Sequence, residues 1–570
     1  MKRSFLDIAI YSGAIIAMLP FSGGASTAMA QVDKRVEVTR EFTPTVGGAT
    51  KLTLTPDLSD DVYIKPDIDY TITPIVQHNF VESEAYGVAK INFYDHKTQD
   101  RIYIKGGVGL PLSGVGDFYG SFGNSSDGYL TTFANFDGIF GKITNDFDEK
   151  LSATQYNLRS GLLYSRYVGY RTLDIGAVYN HSNWSKYATN DEPNDYINKY
   201  RSTRADIRFG DSFVDLRRWN YSVNGSMDIF WNKSIVNNVV ATMDIGAAVG
   251  RRLFSAVDLV IDGGFEYRHD GYYKNTTPHV GINGSYYGRK WSLSVGVDSY
   301  FDRVVDNNMV FGAANPNYDK PINNIYVIPN INFDFNVFSR QMVAYLAVSG
   351  DLKHNDYASL ARINPYIYKG DYEAVNSVER NYGVGIKGSI LSGKFVYDLS
   401  ANYNTVKNNI YWAYCQYDDP MSDYSTNYYT TATGSLKTLN LNYEMKYMPI
   451  KSVDLWLNLD LNRFYKDEEL NYEVGKAAFD MKLGGAYNIE KFKVGMDLNI
   501  FSRRHFTEIY SINPIEVNAA VDLNVFAEWN INRRASLWIE ANNLLGSSLY
   551  NWARYRGYGI NGMVGAKVQF

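Results

Sequence analysis

Apolar and polar positions alternate with a period of two in one segment of this chain after another. In 452–464, Val453, Leu455, Leu457, Leu459 and Leu461 share one face of an extended strand, and Asp454, Trp456, Asn458, Asp460 and Asn462 share the other. The split recurs at 521–531, where Val521, Leu523, Val525, Ala527, Trp529 and Ile531 oppose Asp522, Asn524, Phe526, Glu528 and Asn530. Further copies place Phe492, Val494, Met496, Leu498 and Ile500 together, and Leu439, Leu441, Tyr443, Met445 and Tyr447 together. Polar faces this rich in charge do not fit the dry core of a sandwich, because an unpaired buried charge is costly. They fit a wet lumen.

The same pattern runs to the carboxylate. Val564, Ala566, Val568 and Phe570 point one way, and Met563, Gly565, Lys567 and Gln569 the other. A strand with one lipid-compatible face, ending on an aromatic, is the expected closing strand of an outer-membrane β-barrel. Val564, Ala566, Val568 and Phe570 are therefore expected to form the assembly signal read by the barrel-assembly machinery.

The connections alternate as well. Short turns are expected at 168–170, 288–290, 338–340, 392–394, 449–452, 490–491 and 532–534. Between them lie long, Tyr- and Asn-rich connections at 184–202, 303–323, 352–378, 406–433, 465–476, 504–516 and 543–558. Short on one side and long on the other is the periplasmic-turn and extracellular-loop asymmetry of such barrels. Spans of roughly ten residues laid between these connections from Asp100 give about 22 strands, or about 18 to 20 if two early segments are loop hairpins. With both termini periplasmic, every long connection must follow an odd strand, and the assignment meets this from 155 onward. The expected fold is all-β: a transmembrane antiparallel barrel with long extracellular loops, short periplasmic turns and no separate plug domain.

At the other end, Lys2 and Arg3 precede the apolar stretch Ile8 to Phe21, and small residues follow up to Ala28-Met29-Ala30. This is the pattern of a cleavable secretory signal. The expected organisation is a signal peptide at 1–30, an N-terminal periplasmic or lumenal segment at 31–99, and the barrel at 100–570. The middle segment, with Pro44, Pro56, Pro66 and Pro74, reads as extended pieces joined by turns.

Composition agrees with the barrel. The 570 residues include 48 Tyr, 29 Phe and 9 Trp, and the mean hydropathy is only −0.30. Aromatic girdles on a wall that encloses a polar lumen account for both values. A net charge of −5 argues against a nucleic-acid partner. The single cysteine, Cys415, excludes an intrachain disulfide framework and has no His or acid beside it for nucleophilic chemistry. The histidines at 78, 96, 181, 269, 279, 354 and 505 lack metal-ligand spacing, and no nucleophile and base converge in the sequence. No enzymatic role, cofactor or metal is expected. Two acidic stretches, Asp191-Glu192-Pro193-Asn194-Asp195 and Asp418-Asp419-Pro420-Met421-Ser422-Asp423, lack the EF-hand pattern and read as solvated turns. Trp184, Trp412, Tyr424, Tyr428 and Tyr429, in the long connections, are candidates for stacking on sugars or packing on a protein partner.

Asn542-Asn543-Leu544-Leu545, Tyr550-Asn551-Trp552, Gly557-Tyr558-Gly559 and the final strand resemble the end of a TonB-dependent receptor barrel. The stretch Val36 to Val46, then Ala49-Thr50-Lys51, Pro56 and Tyr70-Thr71-Ile72, resembles the plugless receptor-like barrels of that family. Tyr103 to Gly109 and Gly138 to Ile143 are similar to that subfamily's opening strands. The resemblance departs at the N-terminus: a true receptor has a globular plug before the barrel, and Gln31 to Asp100 is too short for one. Val36-Glu37-Val38-Thr39 is compatible with an energising box and equally with an extended periplasmic tail.

The resemblance implies a non-enzymatic barrel in a Gram-negative outer membrane, surrounded by outer-membrane lipid. It would act as a structural or accessory subunit of an envelope complex that includes a surface lipoprotein or other envelope subunits. The alternative is a transporter or porin-like channel for a bulky nutrient, gated by the N-terminal segment or a surface lipoprotein. A barrel of this size has a wide lumen, so the resemblance also requires something to fill it.

Overall fold

A computed structural model describes residues 102–570, apart from 125–126, 189–196, 233–237, 255, 272, 307–319, 339–340, 369–371, 373–374, 419–424, 468 and 510. The expected signal peptide and the segment 31–99 lie outside the described residues.

The alternating segments form one continuous antiparallel sheet. Of its 24 strands, Arg504–Glu508 and Ile515–Val517 belong to a connection, which leaves 22 in the wall. Each wall strand pairs with its neighbours in the chain, and Ile102–Leu110 pairs with Asn561–Gln569 to close the barrel. Closure removes both sheet edges, so every interior strand position can satisfy its backbone within the wall.

The two-residue period separates lipid from lumen as the sequence predicts. Ile261, Ile282 and Val297 sit side by side in three adjacent strands, and all three are exposed on the outer wall. Leu439, Phe492, Val494, Met496 and Trp529 are exposed in the same way. The other face is a polar network. Trp456 Nε1 donates to Asp497 at 3.0 Å, Tyr345 Oη to Asp398 at 2.7 Å, and Lys567 Nζ lies 2.5 Å from Glu528. These links account for the carboxylates at lumenal positions without requiring a dry core.

The closing strand sits where its pattern implied. Val564 faces Val108 on one side and Ile539 on the other, and Val568 faces Ile104 and Ala535. Val564, Ala566 and Phe570 are exposed on the outer wall. The terminal residue completes the seam: Phe570 N donates to Ile102 O at 2.9 Å, and Ile102 N donates to Phe570 O at 3.2 Å. On the lumenal side Trp538 lies across Gly107 and Gly565, and a Cβ at either glycine would come within 2.5 Å of the indole ring. Lys105 Nζ stands 4.4 Å from the same ring.

The turn assignment holds at 169–170, 288–290, 391–394, 448–452, 490–491 and 531–534, while 339–340 lies outside the described residues. One expected loop is different. The stretch 406–433 is mostly strand: Phe395–Asp418 and Ser425–Tyr447 form a hairpin that outruns its neighbours. Pairing with the flanking strands stops at Lys407 and Leu436, so each arm continues alone for eleven residues, 408–418 and 425–435. At roughly 3.3 Å per residue that projection is about 36 Å.

Candidate functional site: a cap over the extracellular mouth

The projecting hairpin does not stand upright. Its register shifts between Val406 and Asn409, where two residues oppose one. Asn408 takes a left-handed φ of 56°, a conformation Asn tolerates better than most residues. Such a bulge bends a strand and increases its twist. Asn408 Nδ2 donates to Asn376 O at 3.0 Å, and Ser377 Oγ donates to Asn408 O at 2.6 Å, so the bend is fixed to the end of the connection 354–376. Beyond it the hairpin lies across other connections: Ala413 and Tyr414 pair in parallel with Thr507 and Glu508.

The connection 354–376 supplies the second piece. Asp356 caps the helix Tyr357–Ile363 by accepting from Ser359 N at 2.9 Å. The carboxylate is fully buried and lies 2.9 Å from Arg268 Nη1. Burial pushes its pKa up, but Arg268 and the two Ser359 hydrogen bonds outweigh that and hold it below the usual range. The helix packs Tyr357, Ala358, Leu360 and Ala361 against Tyr200, Phe230, Val240, Tyr273 and Val304 of the wall. Polar anchors surround it. Arg362 Nη2 meets Asp228 at 2.6 Å, Asn232 Nδ2 donates to Tyr357 Oη at 2.8 Å, and Tyr200 Oη donates to Pro365 O at 2.8 Å.

The two pieces join over the mouth. Tyr429 N donates to Tyr366 O, and Tyr368 N donates to Tyr429 O, both at 3.0 Å. The Tyr366 and Tyr555 rings stack with centroids 3.5 Å apart. Tyr187 Oη donates to Arg556 O at 2.8 Å, Tyr414 Oη to Ala188 O at 3.0 Å, and Tyr558 Oη to Ala153 O at 2.7 Å. Ile143, Tyr187, Tyr366, Tyr414, Tyr429, Tyr555 and Tyr558 thus form one buried cluster drawn from five connections on this rim. Burying each ring contributes about 1.5–3 kcal/mol, so these connections are held together by a small hydrophobic core. That core has a weak point: Tyr555 Oη is buried with no hydrogen-bond partner among the described residues, which costs about 1–3 kcal/mol.

Several residues singled out in the sequence become internal parts of this cap. Trp184 and Trp412 pack against both buried clusters, Tyr429 is fully buried, and Cys415 is buried in the hairpin. The Tyr428 ring is tilted against that of Tyr368, with centroids 4.9 Å apart. Tyr424, the acidic stretch 191–195 and residues 419–423 lie outside the described residues. His181 Nε2 is 3.4 Å from Tyr156 Oη, and among the described residues no cluster of His, Cys, Asp or Glu is arranged to hold a metal. Sequence reasoning missed Asp356, Tyr366 and Tyr555. Asp356 with Ser359 three residues on is a legible N-cap pattern, whereas nothing local distinguishes the two tyrosines.

Lys186 is expected to give the cap a pH dependence. It lies just past the strand Arg171–Ser185, partly buried, with no carboxylate partner among the described residues, and burial lowers its pKa to about 8. In the opened cap its pKa returns to about 10.4. Between the two values the opened state binds more protons, so cap stability is lowest below pH 8 and rises toward about pH 10.4, by about 3 kcal/mol at most. Lys186→Met should stabilise the cap at neutral pH and abolish the rise. Urea titrations followed by the fluorescence of Trp184, Trp412 and Trp552, at about pH 7 and about pH 10, measure both effects. A wild-type midpoint that does not move relative to the variant would refute the assignment.

No family model matches the chain, and no curated protein is significantly similar to it. Solved structures do match. The copper transporter OprC superposes with a TM-score of 0.63 at 9% identity, over 83% of this chain and 81% of that one. The FrpB iron transporter from Neisseria meningitidis (F5-1 variant) gives 0.62 at 9% identity, over 83% of each chain. The ferric-catecholate import receptor Fiu from K12 E. coli gives 0.59 at 9% identity, over 83% of this chain and 82% of that one. At such identities the likeness defines the fold. The chain folds as a closed, 22-stranded antiparallel β-barrel, like these outer-membrane proteins. Its 22-stranded wall has the same barrel fold as the TonB-dependent outer-membrane receptors, the fold that the resemblance in the sequence implied.

Proposed function

We propose that the protein is an outer-membrane import barrel for a bulky solute, held shut from outside by its own loop cap and gated on the periplasmic side by residues 31–99. The observation that carries this reading is the buried tyrosine cluster across the mouth of a wide barrel. A wall of 22 strands encloses far more space than its own side chains fill, and a seal made from movable connections is useful where something large must occasionally pass. Three proteins that share the fold are a copper transporter, an iron transporter and a ferric-catecholate import receptor, which supports passage over a purely mechanical role.

A second reading, an accessory subunit of an envelope complex with a surface lipoprotein, draws support from the same cap. Trp184, Trp412 and Tyr429 are spent on internal packing rather than offered to a solute, and a filled barrel that serves as a scaffold never needs to open. Deleting residues 36–95 behind an intact signal peptide separates the two. The import reading predicts increased sensitivity of cells to large antibiotics in the deletion strain once the cap opens in use. Wild-type sensitivity with correctly inserted protein would move the accessory reading ahead.

A further inference from the structure

The periplasmic rim carries a second, independent feature. The turn connections there are short except for 211–219, which folds back across the strand ends. Leu216 is buried, close to Gly250, and its carbonyl accepts from Arg252 N at 2.5 Å. Asp211 is also buried and lies 3.5 Å from both Arg171 and Arg218. One carboxylate thus positions two guanidinium groups and leaves net positive charge. Arg251 adds a third, with no carboxylate partner among the described residues, while Arg217 and Arg252 are matched by Asp215 and Asp258.

Each of the three arginines lies over an aromatic ring: Arg171 over Tyr221 at 4.2 Å, Arg218 over Tyr170 at 4.3 Å, and Arg251 over Trp219 at 5.1 Å. Tyr170 is 82% exposed, Trp219 60% and Phe254 93%. Large rings left this open to water are unfavourable, but at the boundary between headgroups and acyl chains they are at home. The outer face of the wall next to them carries Ile207, Val223 and Val249, all exposed. Preorganised guanidiniums therefore stand at headgroup level directly beside an apolar, lipid-facing strip.

We propose that this face binds the phosphate of an anionic glycerophospholipid in the periplasmic leaflet, with Arg171, Arg218 and Arg251 on the headgroup, Tyr170, Trp219 and Phe254 at the interface, and the acyl chains along Val223 and Val249. Guanidinium groups pair with phosphate oxygens through parallel hydrogen bonds, which an ammonium cannot reproduce. Continuity with the lipid-facing strip selects a lipid rather than a soluble acidic partner.

The test uses the full chain refolded in vesicles of phosphatidylcholine with phosphatidylglycerol, extracted in detergent and weighed by native mass spectrometry. Retained phosphatidylglycerol adducts are expected on the wild type, with roughly tenfold lower occupancy for Arg218→Gln/Arg251→Gln. Unchanged occupancy is expected for Arg533→Gln/Arg534→Gln, at another turn of the same rim. Heat-modifiable migration verifies folding, and Arg251→Gln alone replaces the double variant if that variant misfolds. Equal retention of phosphatidylcholine, an equal loss in the Arg533/Arg534 control, or displacement of the lipid by a soluble polyglutamate peptide would each overturn the proposal.

Discussion

Deleting Phe570 is expected to remove nearly all of the protein from the outer membrane. The residue makes both backbone hydrogen bonds that end the seam with Ile102, and its ring is exposed on the outer wall in line with Val564 and Ala566. The two hydrogen bonds are worth only about 2 kcal/mol together, too little to unfold a wall in which every strand is paired on both sides. A near-complete loss would therefore report failed recognition of the terminal strand during assembly. Val568→Asp should act the same way more weakly, since an acidic residue on the lipid face costs less than the roughly 2–4 kcal/mol of a mid-depth Arg or Lys. Quantifying heat-modifiable protein in outer-membrane fractions checks both variants. Wild-type levels for the deletion would remove Val564, Ala566, Val568 and Phe570 as an assembly signal.

Excising the connection 354–376 is expected to leave the barrel intact and open its mouth. Lys353 and Ser377 are already cross-strand partners, so an Asn-Gly turn between them closes the hairpin in its existing register. The excision removes the helix Tyr357–Ile363, the Arg268 and Asp356 pair, and the Tyr366 ring that stacks on Tyr555. Without these the hairpin arms 408–418 and 425–435 lose their contact with Tyr366 and Tyr368 and the anchor of Asn408 on Asn376. Combined with deletion of residues 36–95, which removes the proposed periplasmic gate, the excision should make cells sensitive to antibiotics too large for ordinary porins, at unchanged protein level. The removed packing, about 1.5–3 kcal/mol for each buried ring, belongs to the cap and not to the wall, so the heat-modifiable band should persist. A variant that no longer folds would show that the connection is structural to the barrel instead.

The wall was legible in the sequence because its information is local. A strand with lipid on one side and water on the other must alternate, and Val453 to Asn462 or Val521 to Asn530 carry that alternation within ten residues. The closing strand, the short turns and the strand number follow from the same period. The cap was not legible because its contacts are distant in sequence and its surroundings are mixed. Tyr411, Ala413 and Cys415 oppose Trp412, Tyr414 and Gln416, a pattern with apolar residues on both faces, which fits an arm packed on two sides but reads as an aromatic loop. Tyr366 meets Tyr555 and Gln155 only because the barrel brings their connections to one rim. Of the aromatics read as candidates for a partner, Trp184, Trp412 and Tyr429 instead pack within the cap.

Whether the cap bars the lumen can be measured directly by labelling. Asn283 lies on the lumenal face, one residue from the lipid-facing Ile282. In a Cys415→Ser background, Asn283→Cys should resist a large membrane-impermeant maleimide added outside intact cells, and should react readily once 354–376 has been excised. Equal labelling with and without the connection would contradict a mouth closed by its own loops.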